Sequence, residues 1–291
     1  MEPFTLRAMA KVNLGLDVVR RMENGYHQVK MIMQTVNLYD ELTFEERESG
    51  ILIRTDREDL SADESNLIYK AAKALQEEHF YPGVSITLKK RIPMAAGMAG
   101  GSSDAAATFV GINRLFGLNL SKEELCRIGV KVGADVPYCI MGGTMLSEGI
   151  GEILTPLPDA PPCWLVVAKP DISVSTKYVY ENLHANSLTY HPDIDGVRTA
   201  IENGDLHEMC AHLENVLETV TEKQYPVISD IKRLLVEKGA LTALMSGSGP
   251  TVFGIFEDRN TAERARQAVE EAAFAPQLYL TEFAGETCVE A

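Results

Sequence analysis

The sequence predicts an α+β protein of two domains of similar size, and three observations carry that prediction. The chain has 291 residues, enough at about 150 residues per domain for one large unit or two ordinary ones. β-prone stretches alternate with segments whose apolar residues recur at helical spacing, without internal repeats or low-complexity tails. Pro156, Pro158, Pro161 and Pro162 fall within seven residues near the middle, which reads as a stiff boundary. This places an N-terminal domain over residues 1–155 and a C-terminal domain over 156–291.

Composition narrows the class further. Hydrophobic residues make up 45% and charged residues 24%, the ordinary mixture of a globular chain, which excludes collagen-like, coiled-coil and disordered classes. Lys plus Arg number 27 against 42 for Asp plus Glu, a formal charge of −15. Such a surface repels phosphate backbones and anionic lipid at long range, so neither nucleic acid nor membrane is expected as the main partner. A small anionic substrate stays possible, because a few cations and N–H groups in a cleft override the global field. Cys126, Cys139, Cys163, Cys210 and Cys288 are odd in number and lack zinc spacing, which suggests free thiols in a reducing compartment. Charges scatter through the first twenty residues, so no signal-peptide core is read there, and a cytoplasmic protein is expected.

In chain order, residues 4–20 read as a β-rich pair. Arg21 to Gly25 reads as a polar turn, whose Asn24-Gly25 dipeptide leaves Tyr26 and His27 on a rim. Strands are expected over 29–38, and a hairpin over 42–46 and 51–55. A helix follows from about Asn66 to His79, its inner face Leu67, Ile68, Ala71, Ala72 and Leu75. A strand over 84–90 leads through a small-residue loop into a helix from about Asp104 to Phe116. Ser121 with Glu124 is a capping box for a helix to about Val132. Gly133 to Pro137 interrupts the pattern, and 144–149 returns to strand. Beyond the prolines come a buried strand at 164–170, helix at 175–183, and helices at about 195–203, 205–220 and 226–238. Strand, glycine turn and strand (240–256), a helix (260–273) and a last strand (276–283) complete the chain.

The loop Pro93, Met94, Ala95, Ala96, Gly97, Met98, Ala99, Gly100, Gly101, Ser102 and Ser103 is the most informative segment. Strand, small residues, then helix is what wrapping an oligophosphate requires: close backbone approach, converging N–H groups and a helix N-terminus. It lacks the lysine of a Walker loop and the G-x-G-x-x-G of a dinucleotide loop. A packing turn between helix and sheet would use the same composition, and both readings stand at this point. Lys11 lies in an otherwise apolar strand, either snorkelling outward or held at a cleft by an anion. Asp135 is a turn or helix cap, or else a cleft carboxylate.

Pro93 to Ala106 resembles the phosphate loop of the GHMP kinases, written P-x-x-x-G-L-x-S-S-x-A. Ala10-Lys11-Val12-Asn13-Leu14, Asn24-Gly25-Tyr26-His27, Gly133-Ala134-Asp135-Val136-Pro137 and the late turn Met245-Ser246-Gly247-Ser248-Gly249-Pro250 narrow the resemblance. They point to the branch acting on a cytidine-diphosphate-linked methylerythritol, on a non-mevalonate route to isoprenoid precursors. The resemblance implies a two-domain GHMP kinase fold, with a ribosomal-protein-like N-terminal domain and a C-terminal antiparallel sheet backed by helices. It implies ATP-dependent phosphorylation of the 2-hydroxyl of that substrate, in a monomer or homodimer. Lys11 and Asp135 would be catalytic, and the loop Pro93–Ser103 would bind ATP. Asn13, Tyr26, His27, Thr176, Tyr180, Gly247, Ser248 and Gly249 would bind substrate, with the two tyrosines sandwiching cytosine. Mg²⁺ is expected on the β- and γ-phosphates; no acidic ligand is named for it, and Ser102 and Ser103 are the candidate contributors. The rival readings are another GHMP enzyme, of homoserine or mevalonate type, and a non-catalytic RNA-binding module, against which the charge of −15 speaks. Ala95, Ala96 and Ala99 replace glycines usual in the branch, and any of them needing positive φ would carry strain of about 1 kcal/mol.

Overall fold

Two long strands set the frame of the computed structural model, which describes residues 2–291. β1 (Phe4–Arg21) and β2 (His27–Glu46) run antiparallel through nearly their whole lengths. The expected break within 4–20 is absent. Gly15 serves packing instead: a Cβ there would come within 2.8 Å of Ile194 Cδ1. Register shifts at Met9/Ala10, Asn13/Gly15 and Val18/Arg20 are the bulges by which so long a ribbon bends.

β3 (Gly50–Thr55), α1 (Leu67–Glu78) and β4 (Gly83–Lys89) form a crossover unit. β3 pairs parallel with β4, and β4 pairs antiparallel with the outer half of β2. The expected hairpin between 42–46 and 51–55 is therefore wrong. The apolar face of α1, with Ile68, Ala71, Ala72 and Leu75 buried, needs a sheet to cover, and a helical crossover between parallel neighbours supplies one. Asn66 caps α1 by accepting the Ile68 N–H.

α2 (Gly100–Leu115) starts a turn earlier than expected, because Gly100 to Ser103 already take helical form. α3 (Lys122–Gly129) carries the predicted capping box, and a short helix, α4 (Val136–Met141), follows with a proline in its first turn. β5 (Thr144–Glu148) and β6 (Ile153–Pro156) complete this half, with β5 on the inner half of β2.

The second half is a four-stranded antiparallel sheet backed by helices. Its strands are β7 (Trp164–Lys169), β8 (Thr242–Met245), β9 (Val252–Phe256) and β10 (Gln277–Glu282), in the order β10-β7-β9-β8. The helices are α5 (Thr176–Asn182), α6 (Ile194–Glu202), α7 (Leu206–His212), α8 (Glu218–Gln224), α9 (Val227–Glu237) and α10 (Arg259–Glu271). The single helix expected over 205–220 is broken between α7 and α8. Leu16 N–H donates to Glu214 O and Val216 N–H to Leu16 O, so β1 captures the intervening segment as an extended piece. β11 (Val289–Glu290) returns to pair with β1. No helix of the described residues is long and apolar enough to cross a membrane, and all five cysteines are free thiols.

Candidate active site

β1, the N-terminus of α2, the residue before α4 and the β8–β9 turn converge on one cleft. Lys11 and Asn13 project from the same face of β1, two residues apart. The Lys11 side chain is 6% exposed, so it does not snorkel. Its Nζ donates to Asn13 Oδ1 at 2.8 Å and to Gly97 O at 3.1 Å, and stands 4.0 Å from Asp135 Oδ2. Asp135 occupies the N-cap position of α4 but makes no capping hydrogen bond from its side chain. Its carboxylate, 35% exposed, remains open to the cleft.

The loop is stitched to β1, with Lys11 N–H on Met98 O and Ser103 Oγ on Met9 O. Ser103 is buried and its hydroxyl so engaged, which removes it as a metal contributor. Ser102 faces the cleft. Ala95 and Ala99 have φ of +49° and +56°, so two of the three alanine replacements stand in the left-handed region. Gly97, at φ +72°, is obligatory: a Cβ there would lie 2.1 Å from Ser246 O.

Two adjoining cavities meet at this loop. The larger, about 480 Å³, is lined by Leu60, Ser65, Asn66 and Leu67, by the loop from Pro93 to Ser102 without Met98, and by Lys90, Asp104, Val174, Thr176, Ser248 and Gly249. The smaller, about 310 Å³, is lined by Lys11, Asn13, Met31, Ala134, Asp135, Tyr180 and Gly247, among others. Gly97, Ala99, Ser102, Thr176 and Ser248 belong to both walls. The Thr176 and Ser248 hydroxyls, both of the C-terminal half, are 2.8 Å apart, and the two halves are tied here by Ser246 Oγ, which donates to Gly97 O at 2.9 Å. A wider cleft of about 1150 Å³ opens elsewhere on the C-terminal half, but its Lys232, Glu218 and Glu222 are bound to one another.

Of the expected binding residues, Asn13, Thr176, Tyr180, Gly247, Ser248 and Gly249 line the cavities, whereas Tyr26 and His27 do not. The Asn24–Gly25 turn forms, and Tyr26 is 59% exposed. The ring beside Tyr180 is His27, with centroids 5.0 Å apart and planes at 52°. Burial, then Arg21, lowers the His27 pKa, which keeps the imidazole neutral at neutral pH.

Sequence reasoning missed several residues. Lys90 is buried under the loop with its ammonium on Asp40 and Asp104. Burial opposes the Lys90 charge, but the two aspartates outweigh it and raise its pKa. Burial pushes the Asp104 carboxyl well above the ordinary range against the pull of Lys90, and its Oδ1 has no hydrogen-bond partner. Asn215 and Ser246, both buried, hold the glycine turn. Lys90, between Lys89 and Arg91, gave no local signal, Asn215 was one polar residue within an expected helix, and Ser246 lay in the glycine turn without a role of its own.

Comparison with known proteins identifies the family and the fold. The family model described as "GHMP kinases N terminal domain" matches residues 66–143, and "GHMP kinases C terminal" matches 197–275. A 4-diphosphocytidyl-2-C-methyl-D-erythritol kinase of Lachnoclostridium phytofermentans is 52% identical over 97% of this chain and 98% of its own. A crystal structure of 4-(cytidine 5'-diphospho)-2C-methyl-D-erythritol kinase superposes with a TM-score of 0.83 at 31% identity, covering 97% of this chain and all of that one. A homoserine kinase from Cytophaga hutchinsonii superposes at 0.76 with 19% identity, covering 99% and 95%, a likeness of fold alone.

Proposed function

The chain belongs to the 4-diphosphocytidyl-2-C-methyl-D-erythritol kinases of the GHMP family, and from that premise we propose how its site works and on what. ATP occupies the 480 Å³ cavity, and the 2-hydroxyl of 4-diphosphocytidyl-2-C-methyl-D-erythritol enters the 310 Å³ one. The observation that carries this reading is the position of Lys11 and Asp135, 4.0 Å apart in the cavity that shares a wall with the phosphate loop.

Phosphoryl transfer asks mainly for positioning and charge stabilisation. The α2 N-terminus and the loop N–H groups hold the phosphates. Asp135 accepts the hydroxyl proton as the substrate oxygen bonds to the γ-phosphorus and the bond to the β–γ bridging oxygen breaks, releasing ADP. Lys11, anchored by Asn13 and Gly97, orients the carboxylate and offsets charge developing on the transferring group.

Mg²⁺ fits this site in a limited way. No three His, Cys, Asp or Glu side chains among the described residues form a metal cluster, so phosphate oxygens would supply most ligands, with the Ser102 hydroxyl as the protein's contribution. When bound it would neutralise charge on the phosphates. Cytosine rests against Tyr180 at the end of the smaller cavity, where His27, the ring beside that tyrosine, reads its edge and the exposed Tyr26 at the rim supplies the second plate.

The test is to incubate the protein with ATP, Mg²⁺ and a panel of alcohols. ADP should form with the cytidyl substrate and not with homoserine or mevalonate. Equal turnover of either simple alcohol, or no ADP with the cytidyl one, contradicts the reading.

A further inference from the structure

Gly97 lies on the seam between the two halves of the chain, and its carbonyl oxygen has two donors. Lys11 Nζ approaches from the N-terminal half at 3.1 Å, and Ser246 Oγ from the C-terminal half at 2.9 Å. The approach of Gly97 to Ser246 O, 2.1 Å from an added Cβ, is tighter than at any other glycine. Ser246 is wholly buried, its N–H given to Thr251 O and its carbonyl receiving Gly249 N–H. Asn215 fixes the turn from beneath, its Nδ2 donating to Met245 O and Gly247 O at 2.8 Å each, and its Oδ1 accepting Leu217 N–H. The serine hydroxyl, on a backbone held from both sides, thus donates to the same oxygen that anchors the lysine.

We propose that Ser246 is a positioning residue, which through the shared Gly97 carbonyl sets where the Lys11 ammonium stands relative to Asp135. The inference rests on the catalytic reading of Lys11 and Asp135. It gives the C-terminal half a part in the chemical step, beyond shaping the cleft wall. Lys11 has two anchors, and the Asn13 anchor is carried on its own strand. The Gly97 anchor is held in place across the seam, so losing the serine hydroxyl lets that carbonyl, and the ammonium with it, drift.

The experiment is a double-mutant cycle read by steady-state kinetics, with thermal unfolding to confirm that each protein is folded. Ser246→Ala should lower kcat about 5- to 10-fold, the worth of one hydrogen bond, while both KM values move less than about twofold. Ser246→Cys, similar in volume but a weak donor, should behave like alanine, and Ser246→Thr should keep most of the turnover. With Lys11 already changed to Ala, Ser246→Ala should cost nothing more. Unchanged kcat in Ser246→Ala and Ser246→Cys overturns the proposal, as does an equal loss in the Lys11→Ala background. A rise in the KM for ATP at constant kcat also overturns it, since the serine would then only pack the loop. Near-parent turnover of Lys11→Ala itself would instead sink the catalytic reading on which the proposal rests.

Discussion

Lys11 and Lys90 flank the same phosphate loop, each beside aspartate, yet the two groupings are built in opposite ways. Lys90 touches Asp104 at 2.7 Å and Asp40 closer still, and all three side chains are at most 5% exposed. Asp40 also accepts the N–H groups of Arg91 and Ile92. Lys11 and Asp135 stand 4.0 Å apart, with the carboxylate one-third exposed and no cap to bind it. In the closed grouping the ammonium is committed to two buried aspartates. An open pair keeps a carboxylate ready for a proton and a cation ready for developing negative charge. The distance between partners therefore separates a grouping that supports the loop from a pair that works on a substrate.

The largest expected effect sharpens the first half of that contrast. Lys90→Met leaves Asp40 and Asp104 buried without their cation and should cost about 3–5 kcal/mol of stability, read from urea unfolding. A loss under about 1 kcal/mol would mean that the grouping is far wetter than its burial indicates.

Next comes the far end of the smaller cavity. Tyr180→Ala should raise the KM for the cytidyl substrate about 5- to 100-fold and leave the KM for ATP nearly unchanged, given the worth of base–aromatic stacking. An equal rise in both KM values, or equal acceptance of a uridyl analogue by the parent, contradicts the cytosine assignment.

A third prediction uses pH on the closed grouping. Asp104 binds its proton more tightly folded than unfolded, because burial disfavours its charge. Its stabilising contribution is thus full below the ordinary carboxyl range and is lost as pH rises through the raised value. Asp104→Asn removes that loss, so the stability of the variant relative to the parent should climb as pH rises above the ordinary carboxyl range. A pH-independent difference between the two proteins would contradict the assigned shift.

The smallest effect concerns the loop backbone. Ala99 precedes α2 in the left-handed region, so Ala99→Gly should relieve strain and raise stability by up to about 1 kcal/mol. Destabilisation on that substitution would show that the alanine methyl packs more usefully than its backbone strains.

The parts of this site legible in the sequence were those with a local signature. Gly97 to Ser103, Lys11 with Asn13, and Gly133 to Pro137 each carry their pattern within a few consecutive residues, and the capping box of Ser121 and Glu124 was readable for the same reason. What stayed hidden depends on contacts distant in sequence. Nothing in residues 205–220 shows that β1 will break that helix and leave Asn215 beneath a turn thirty residues later. Residues 51–55 are a short β-prone run that reads like a hairpin arm, and only the need of α1 for a covered face turns them parallel to β4. Lys90 reads as one more charge at a strand end, because its aspartates are 50 and 14 residues away.

The most direct test of the open pair's role is Asp135→Asn, measured at once for turnover, ATP affinity and unfolding. The account predicts that kcat falls about 10²-fold or more, while ATP affinity by calorimetry and the urea midpoint stay at the parent's values. Near-parent turnover would contradict it, and so would a loss of activity that merely followed a loss of stability.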